Sequence, residues 1–185
     1  MCIRDSPEPQ DLTQRTLRFT FMDKDNSKEV LMAETRKAGA YGLQAKSLPY
    51  LSDGSWNGVA PTLTMVERFY TKNGLPIDED PEFDYQNRFS VVPFPDGATY
   101  GEGQTIKLNV DREPRFYAWL SFDGDEFGQK ICDGSPLIVQ VRNSLKQGYN
   151  PSKFNRDNCT TGYFLKKWAA PDSVSYTHLT LPTIA

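Results

Sequence analysis

The chain has 185 residues, a net charge of −3 and 12% aromatic side chains. That length suffices for one domain with a genuine core, and the small negative charge, with no long basic run, excludes the electrostatic footprint of a nucleic-acid binder. No apolar run approaches the ~18 residues that a membrane-spanning helix requires.

Thirteen glycines and thirteen prolines point to many turns and long irregular connections. The polar stretch from Met1 to Gln10 has no apolar segment of a signal peptide, so Cys2 does not read as a lipid-bearing cysteine. Residues 1–6 and 174–185 resemble translated sequencing adapter, which leaves 7–173 as the expected domain. His178, the single histidine, falls in the second of these tails. Residues 7–173 then offer no imidazole for general-base catalysis or zinc ligation. Cys132 and Cys159 remain. A bridge between them would close a loop of about 26 residues and contribute about 3 kcal/mol in an exported protein. Two unpaired, buried thiols fit the sequence equally.

Leu17, Phe19 and Phe21 alternate with Arg18 and Thr20, a strand pattern that also admits a short helix end. A polar turn, Asp23 to Ser27, separates it from a second strand, Glu29 to Glu34. Asp23, Asp25, Ser27 and Glu34 match positions 1, 3, 5 and 12 of a calcium loop. Lys28 stands where the sharp turn needs glycine and no helix flanks the loop, so a solvated turn is expected there. Lys37 to Gly58 is a long loop carrying Tyr41, Tyr50 and Trp56, and loops of that length are usually functional or disordered.

A helix is expected from Pro61 or Thr62 to about Lys72, with Leu63, Val66 and Tyr70 as its apolar face and Gly74 ending it. Ile77 to Tyr100 reads as mostly irregular, and Ile106, Leu108 and Val110 as a short strand. The most informative stretch follows, D-R-E-P-R-F-Y-A-W-L-S-F-D-G from Asp111 to Gly124. Pro114 pushes Glu113 out of the helical region. The apolar run from Phe116 to Phe122 is expected to be a buried strand, closed by turn chemistry at Asp123-Gly124. Two arginines among acids, Asp111, Arg112, Glu113 and Arg115, could grip a ligand carboxylate or phosphate. Beside a core strand, internal salt bridges are the expected role, with Arg115 in a buried carboxylate pair. Pro136 to Arg142 is a strand candidate and Ser144 to Asn158 a polar loop. Thr161 to Trp168 is a last strand, with Tyr163, Leu165 and Lys167 on one face and Phe164, Lys166 and Trp168 on the other.

These elements give a loop-rich α+β reading. The stretch from Asp111 also resembles the N-R-(D/E)-P-R-F-Y-A-x-(I/L)-x-(F/Y)-D-G signature of the SusD/RagB family of outer-membrane nutrient-binding lipoproteins. Pro61-Thr62-Leu63-Thr64-Met65-Val66-Glu67 with Lys72-Asn73-Gly74-Leu75-Pro76-Ile77 resembles that family's P-T-x-x-M-V-(E/D)…x-N-G-x-P-I block. Thr161-Gly162-Tyr163 with Lys166-Lys167-Trp168 resembles its T-G-Y-x-x-x-K-(F/W) block. The resemblance implies a fragment of a mainly helical, helical-repeat fold lacking most of the N-terminal repeat helices. Residues that face those helices, drawn from Leu63, Val66, Tyr70 and 116–120, would then be partly uncovered.

The resemblance further implies capture of a glycan or other nutrient without bond cleavage. The captured ligand would be passed to a SusC-like TonB-dependent transporter in the outer membrane, with an N-terminal lipid anchor as the membrane attachment and no cofactor. An aromatic ring can pack on the apolar C–H face of a sugar while polar groups bond its hydroxyls. Trp56, with Tyr50 and Asn57 beside it, is the best candidate for that contact, and a loop anchor packed on the core is its alternative role. Two rival functions stay open. One is a glycoside hydrolase using paired carboxylates from Asp78-Glu79-Asp80 or from Asp123, Asp125 and Glu126, although acidic loops are ordinarily just solvated. The other is an adhesin-like surface module.

Overall fold

Short elements joined by hydrogen-bonded turns build this chain. The computed structural model describes residues 59–94, 103–130, 136–153 and 158–167, together with 46–49 and the single positions Thr13, Thr16, Leu17 and Thr20. In order, the principal elements are α1 (Leu63–Glu67), β1 (Val91–Pro93), β2 (Gln104–Ile106) and a 3-10 turn (Lys107–Asn109). They continue with α2 (Pro114–Trp119), β3 (Leu120–Ser121), β4 (Glu126–Lys130), β5 (Pro136–Ile138) and β6 (Phe164–Leu165). The strands form antiparallel pairs, β1 with β2, β3 with β6 and β4 with β5. Gly128, at a φ of 86°, lies where the β4–β5 register shifts, a bulge that a left-handed glycine accommodates.

Helix α1 forms where expected, but it is shorter and buries a different face. The helix begins at Leu63 and not at Pro61 or Thr62, because the Thr62 side chain accepts the Met65 amide at 3.3 Å and caps it. The helix stops at Glu67 instead of Lys72. Its end tightens into i to i−3 bonds, Arg68 N–H to Met65 O at 3.2 Å and Phe69 N–H to Val66 O at 3.4 Å. Beyond it, Thr71 is already extended and bridged to Arg112. Val66 and Phe69 are buried, whereas Leu63 and Tyr70 are 41% and 43% exposed. Gly74 has the left-handed φ of 75° but serves the turn Thr71–Leu75, not the helix end.

The run from Phe116 to Phe122 is not one strand. Its first part is helical, α2, and only Leu120–Ser121 is extended. Pro114 is pre-set for the first helical turn, and extended Glu113 precedes it. A strand needs a hydrogen-bonding neighbour, and only Leu120 and Ser121 meet one, Leu165 and Phe164 of β6. Apolar content alone does not distinguish these outcomes. The other strands form in shortened versions: β2 gives way to the 3-10 turn, β5 ends at Ile138 and β6 spans two residues. Thr16 and Leu17 are helical, with the Thr20 amide bonded to Thr16 O at 3.0 Å, so the strand expected there does not begin at Leu17. The turn at 23–27, the strand at 29–34 and the near-calcium loop lie outside the described residues.

Two apolar clusters form the core. The larger holds Val66, Phe69, Ile77, Phe83, Phe94, Leu108, Phe116, Leu120, Phe122 and Tyr163. Its rings interlock: Phe116 meets Phe69 edge-on at 5.7 Å, and Phe94 stacks on Phe122 at 5.9 Å. The smaller holds Leu48, Phe127, Leu137, Val139 and Phe164. The chain divides them at β6 and the residue before it: Tyr163 enters the larger cluster and Phe164 the smaller, as the alternation in the sequence predicts. Of the residues expected to be partly uncovered, Val66, Phe116, Ala118 and Leu120 are buried by this chain itself, Tyr117 and Trp119 are half-buried, and Leu63 and Tyr70 are exposed.

The Asp123–Glu126 acids are not simply solvated. Asp125 and Lys166 are buried and pair at 2.6 Å, and the Ser121 hydroxyl donates to the same carboxylate oxygen at 2.5 Å. Asp123 accepts the Val141 amide at 2.9 Å and pairs with Arg142 at 2.6 Å. Removing one member of a buried ion pair leaves the other's charge in low dielectric. Lys166→Met should therefore lower the free energy of unfolding in urea by roughly 3–5 kcal/mol, and the double variant Asp125→Asn, Lys166→Met by clearly less.

Candidate functional site

The signature stretch folds as a three-way junction between α1, the 3-10 turn and α2. Asp111 has a φ of 58°, the one non-glycine residue in the left-handed region among the described residues. Asp and Asn tolerate that conformation, and the family signature carries Asn at this place. The turn sets the Asp111 carboxylate between Lys72 at 3.0 Å and Lys107 at 2.9 Å. Partial burial would raise its pKa, but hydrogen bonds and charge from the two lysines more than reverse this and hold it below the usual value.

The same turn aims Arg112 inward. Its Nη2 donates to the carbonyls of Val66 at 2.9 Å and Phe69 at 2.7 Å, Nε to Tyr70 O at 3.3 Å, and Nη1 to Leu108 O at 2.7 Å. These carbonyls end α1 and the 3-10 turn, where intrahelical donors run out. The guanidinium also lies 4.6 Å over the Phe116 ring. Burial pulls its pKa down to about 10, so it stays cationic at neutral pH.

Glu113 accepts the Tyr70 amide at 3.0 Å and Arg115 Nη2 at 2.8 Å. The Arg115 side chain is 41% exposed and lies over Phe69 and Trp119, so the buried arginine is Arg112 and not Arg115 as expected. The Tyr117 hydroxyl accepts the Arg112 amide at 3.2 Å and donates to Asn109 O at 3.1 Å. The Tyr163 hydroxyl donates to Asn109 Oδ1 at 2.8 Å, and burial pushes its pKa well above the ordinary phenol value. The polar groups of Asp111, Arg112, Glu113 and Tyr117 are thus directed at the chain itself, while Arg115 uses Nη2 on Glu113 and leaves Nε without a partner among the described residues. The alternative of a grip on a ligand anion finds no support in this geometry.

The expected ligand contacts, Tyr50, Trp56 and Asn57, lie outside the described residues. The base of their loop is described: Val59 N–H donates to Lys46 O at 3.0 Å, and Ser47, Leu48 and Pro49 are buried, Leu48 within the smaller core. Asp80, from the acidic group at 78–80, is buried. It accepts the Thr71 hydroxyl at 2.5 Å, the Glu82 amide at 2.9 Å and Asn73 Nδ2 at 3.1 Å. The Thr71 bond is the first cause of its lowered pKa. Asp80, Asp123 and Asp125 thus serve internal turns, a role that acidic spacing in the sequence did not reveal.

A model of the SusD family matches residues 25–183, and the chain belongs to that family. Members are generally glycan-binding proteins of nutrient uptake, typically non-catalytic, associated with the outer membrane and with SusC-like transporters. Among solved structures, BT4246 is 34% identical with a TM-score of 0.70, matching 91% of this chain and 30% of its own. A SusD-like protein of Bacteroides fragilis NCTC 9343, BF3747, shares the fold at 21% identity and a TM-score of 0.58, with 92% and 30% covered. The chain thus spans about 30% of the length of either neighbour. A search of curated proteins finds no match.

Arg112→Met would leave the Phe69 and Leu108 carbonyls without a donor and those of Val66 and Tyr70 with one backbone amide each, so urea unfolding should show a loss of at least about 3 kcal/mol. Arg112→Lys should rescue little of it, because an ammonium lacks the planar fork. The lowered pKa values of Asp80 and Asp111 set a direction with pH. Their contribution is fully present above the ordinary value of 3.8 and is lost as pH falls through the lower folded values. Melting temperatures between pH 6 and 2 should drop on the acid side, and less steeply in Asp80→Asn.

Proposed function

We propose that this chain is part of a surface protein that captures a glycan, or another nutrient, at the outer membrane without cleaving it, for delivery to a SusC-like TonB-dependent transporter. The family match over residues 25–183 carries this reading. The junction geometry supports it in a second way. The signature residues make their hydrogen bonds within the chain, to backbone and to neighbouring side chains, so recognition falls to the loops that this scaffold holds.

Trp56 is the proposed stacking platform, with Tyr50 beside it and Asn57 bonding sugar hydroxyls. On either side of them in sequence, the Val59 amide donates to Lys46 O at 3.0 Å. The protein carrying this chain would be held at the cell surface by an N-terminal lipid anchor, and no cofactor enters the reading.

Trp56→Ala should weaken glycan affinity by about 1–3 kcal/mol, as for an exposed anchor, while leaving the melting temperature unchanged. Calorimetric titration and thermal unfolding on the same variant decide the matter. A stability loss without a separate binding loss would make Trp56 a core anchor instead.

A further inference from the structure

Leu145 and Tyr149 are 80% and 69% exposed, more than any other large apolar side chain among the described residues, and both belong to one loop. Slack backbone does not account for this. Asn143 O accepts the amides of Lys146 at 3.0 Å and Gly148 at 2.9 Å, and Asn143 Oδ1 accepts the Leu145 amide at 3.0 Å. Asn150 Nδ2 donates to Ser144 O at 3.2 Å and closes the loop, while the Asn150 amide is held by Asn158 Oδ1 at 2.7 Å. Buried Gln147 accepts the Gln140 amide at 2.9 Å, and the Lys153 ammonium donates to the carbonyls of Lys146 and Gly148. A Cβ on Gly148 would come within 2.7 Å of the Asn143 and Val141 carbonyl oxygens, so the backbone is packed against itself there.

A rigid loop therefore holds an aliphatic and an aromatic side chain in water, one residue inside its closure on either limb. Their neighbours Asn143, Ser144, Lys146 and Ser152 are exposed and polar. A stable protein interface needs about 800 Å² per partner around an apolar centre, which two isolated side chains in polar surroundings do not supply. A sugar fits the scale better, since one C–H face covers one aromatic ring and the hydroxyls meet a polar rim. The rim is oriented already. Asn143 and Asn150 each use one N–H and one carbonyl lone pair internally, and a primary amide has a second of each.

We propose that the loop closed by Ser144 and Asn150 is a glycan-contact site in its own right, separate from the 50–57 segment. Tyr149 stacks on a sugar ring, Leu145 flanks it, and the Asn150 amide bonds the sugar's hydroxyls. The inference rests on the glycan-capture reading and adds a second point of contact along an oligosaccharide.

The test begins with the 185-residue chain on an array of plant and microbial oligosaccharides, followed by calorimetric titration of the tightest binder. Tyr149→Ala should raise the Kd about fivefold or more, as the loss of a stacking ring implies. Tyr149→Phe, which keeps the ring, should stay within about twofold of the parent. Neither change should move the unfolding midpoint, because the side chain is exposed. A glycan that the parent and Tyr149→Ala bind with equal affinity overturns this inference and leaves glycan capture intact. A chain that binds nothing on the array overturns both.

Discussion

A single guanidinium, that of Arg112, ties together parts of the chain that are far apart in sequence. Its four hydrogen bonds reach the last carbonyls of α1, the Tyr70 carbonyl beyond it, and Leu108 in the 3-10 turn, while its face rests on Phe116 of α2. Helix carbonyl ends carry partial negative charge, which suits a cation there. Each carbonyl left without a donor in such a place would cost about 1–3 kcal/mol. The desolvated charge is therefore offset by backbone dipoles and not by a carboxylate. The neighbouring signature residues make that arrangement possible. Asp111 supplies the left-handed turn that points Arg112 inward, Glu113 secures the strand-like pairing with Tyr70, and Pro114 starts the helix that sets Phe116 beneath the guanidinium.

Features governed by neighbouring residues were legible in the sequence. The Asp123-Gly124 turn, the polar loop after Ser144 and the alternation of Tyr163 and Phe164 all depend on side chains within a few positions. The α2 segment was not legible as a helix, since its aromatic run satisfies a buried strand and a short buried helix equally. The strand partner that would decide between them, β6, lies more than forty positions downstream. The role of Arg112 was hidden for another reason. Backbone carbonyls are present at every position, so a side chain that seeks them leaves no complementary letter to find. An arginine beside two acids reads as a salt bridge, and only one such bridge formed, at Arg115, near the surface. The Asp125–Lys166 pair was likewise invisible because its members come from separate turns.

This division bears on function. Residues that make the family recognisable direct most of their polar atoms into the fold, and the proposed recognition is left to loops. Lys46 and Val59 are hydrogen-bonded to each other and Leu48 lies in the smaller core, and the Ser144–Asn150 loop is stiffened by its own amides. Such an arrangement permits ligand preference to change by loop substitution without disturbing the junction. Tyr50, Trp56 and Asn57 were put forward from composition, as aromatic and amide groups in a long loop, and lie outside the described residues, while Tyr149 was not singled out. Its signal, the G-Y-N-P sequence, marks a turn, and exposure of the ring emerges only from the loop's closure.

The most direct test of the junction is amide hydrogen exchange on the parent chain and on Arg112→Lys, read at Phe69 to Thr71, Leu108 to Val110 and Phe116 to Ala118. If one guanidinium couples these segments, all three should lose protection together in the variant, while Val139 and the β4–β5 pair keep theirs. Loss confined to the segment around Arg112 itself, with α1 and the 3-10 turn as protected as in the parent, would contradict the account.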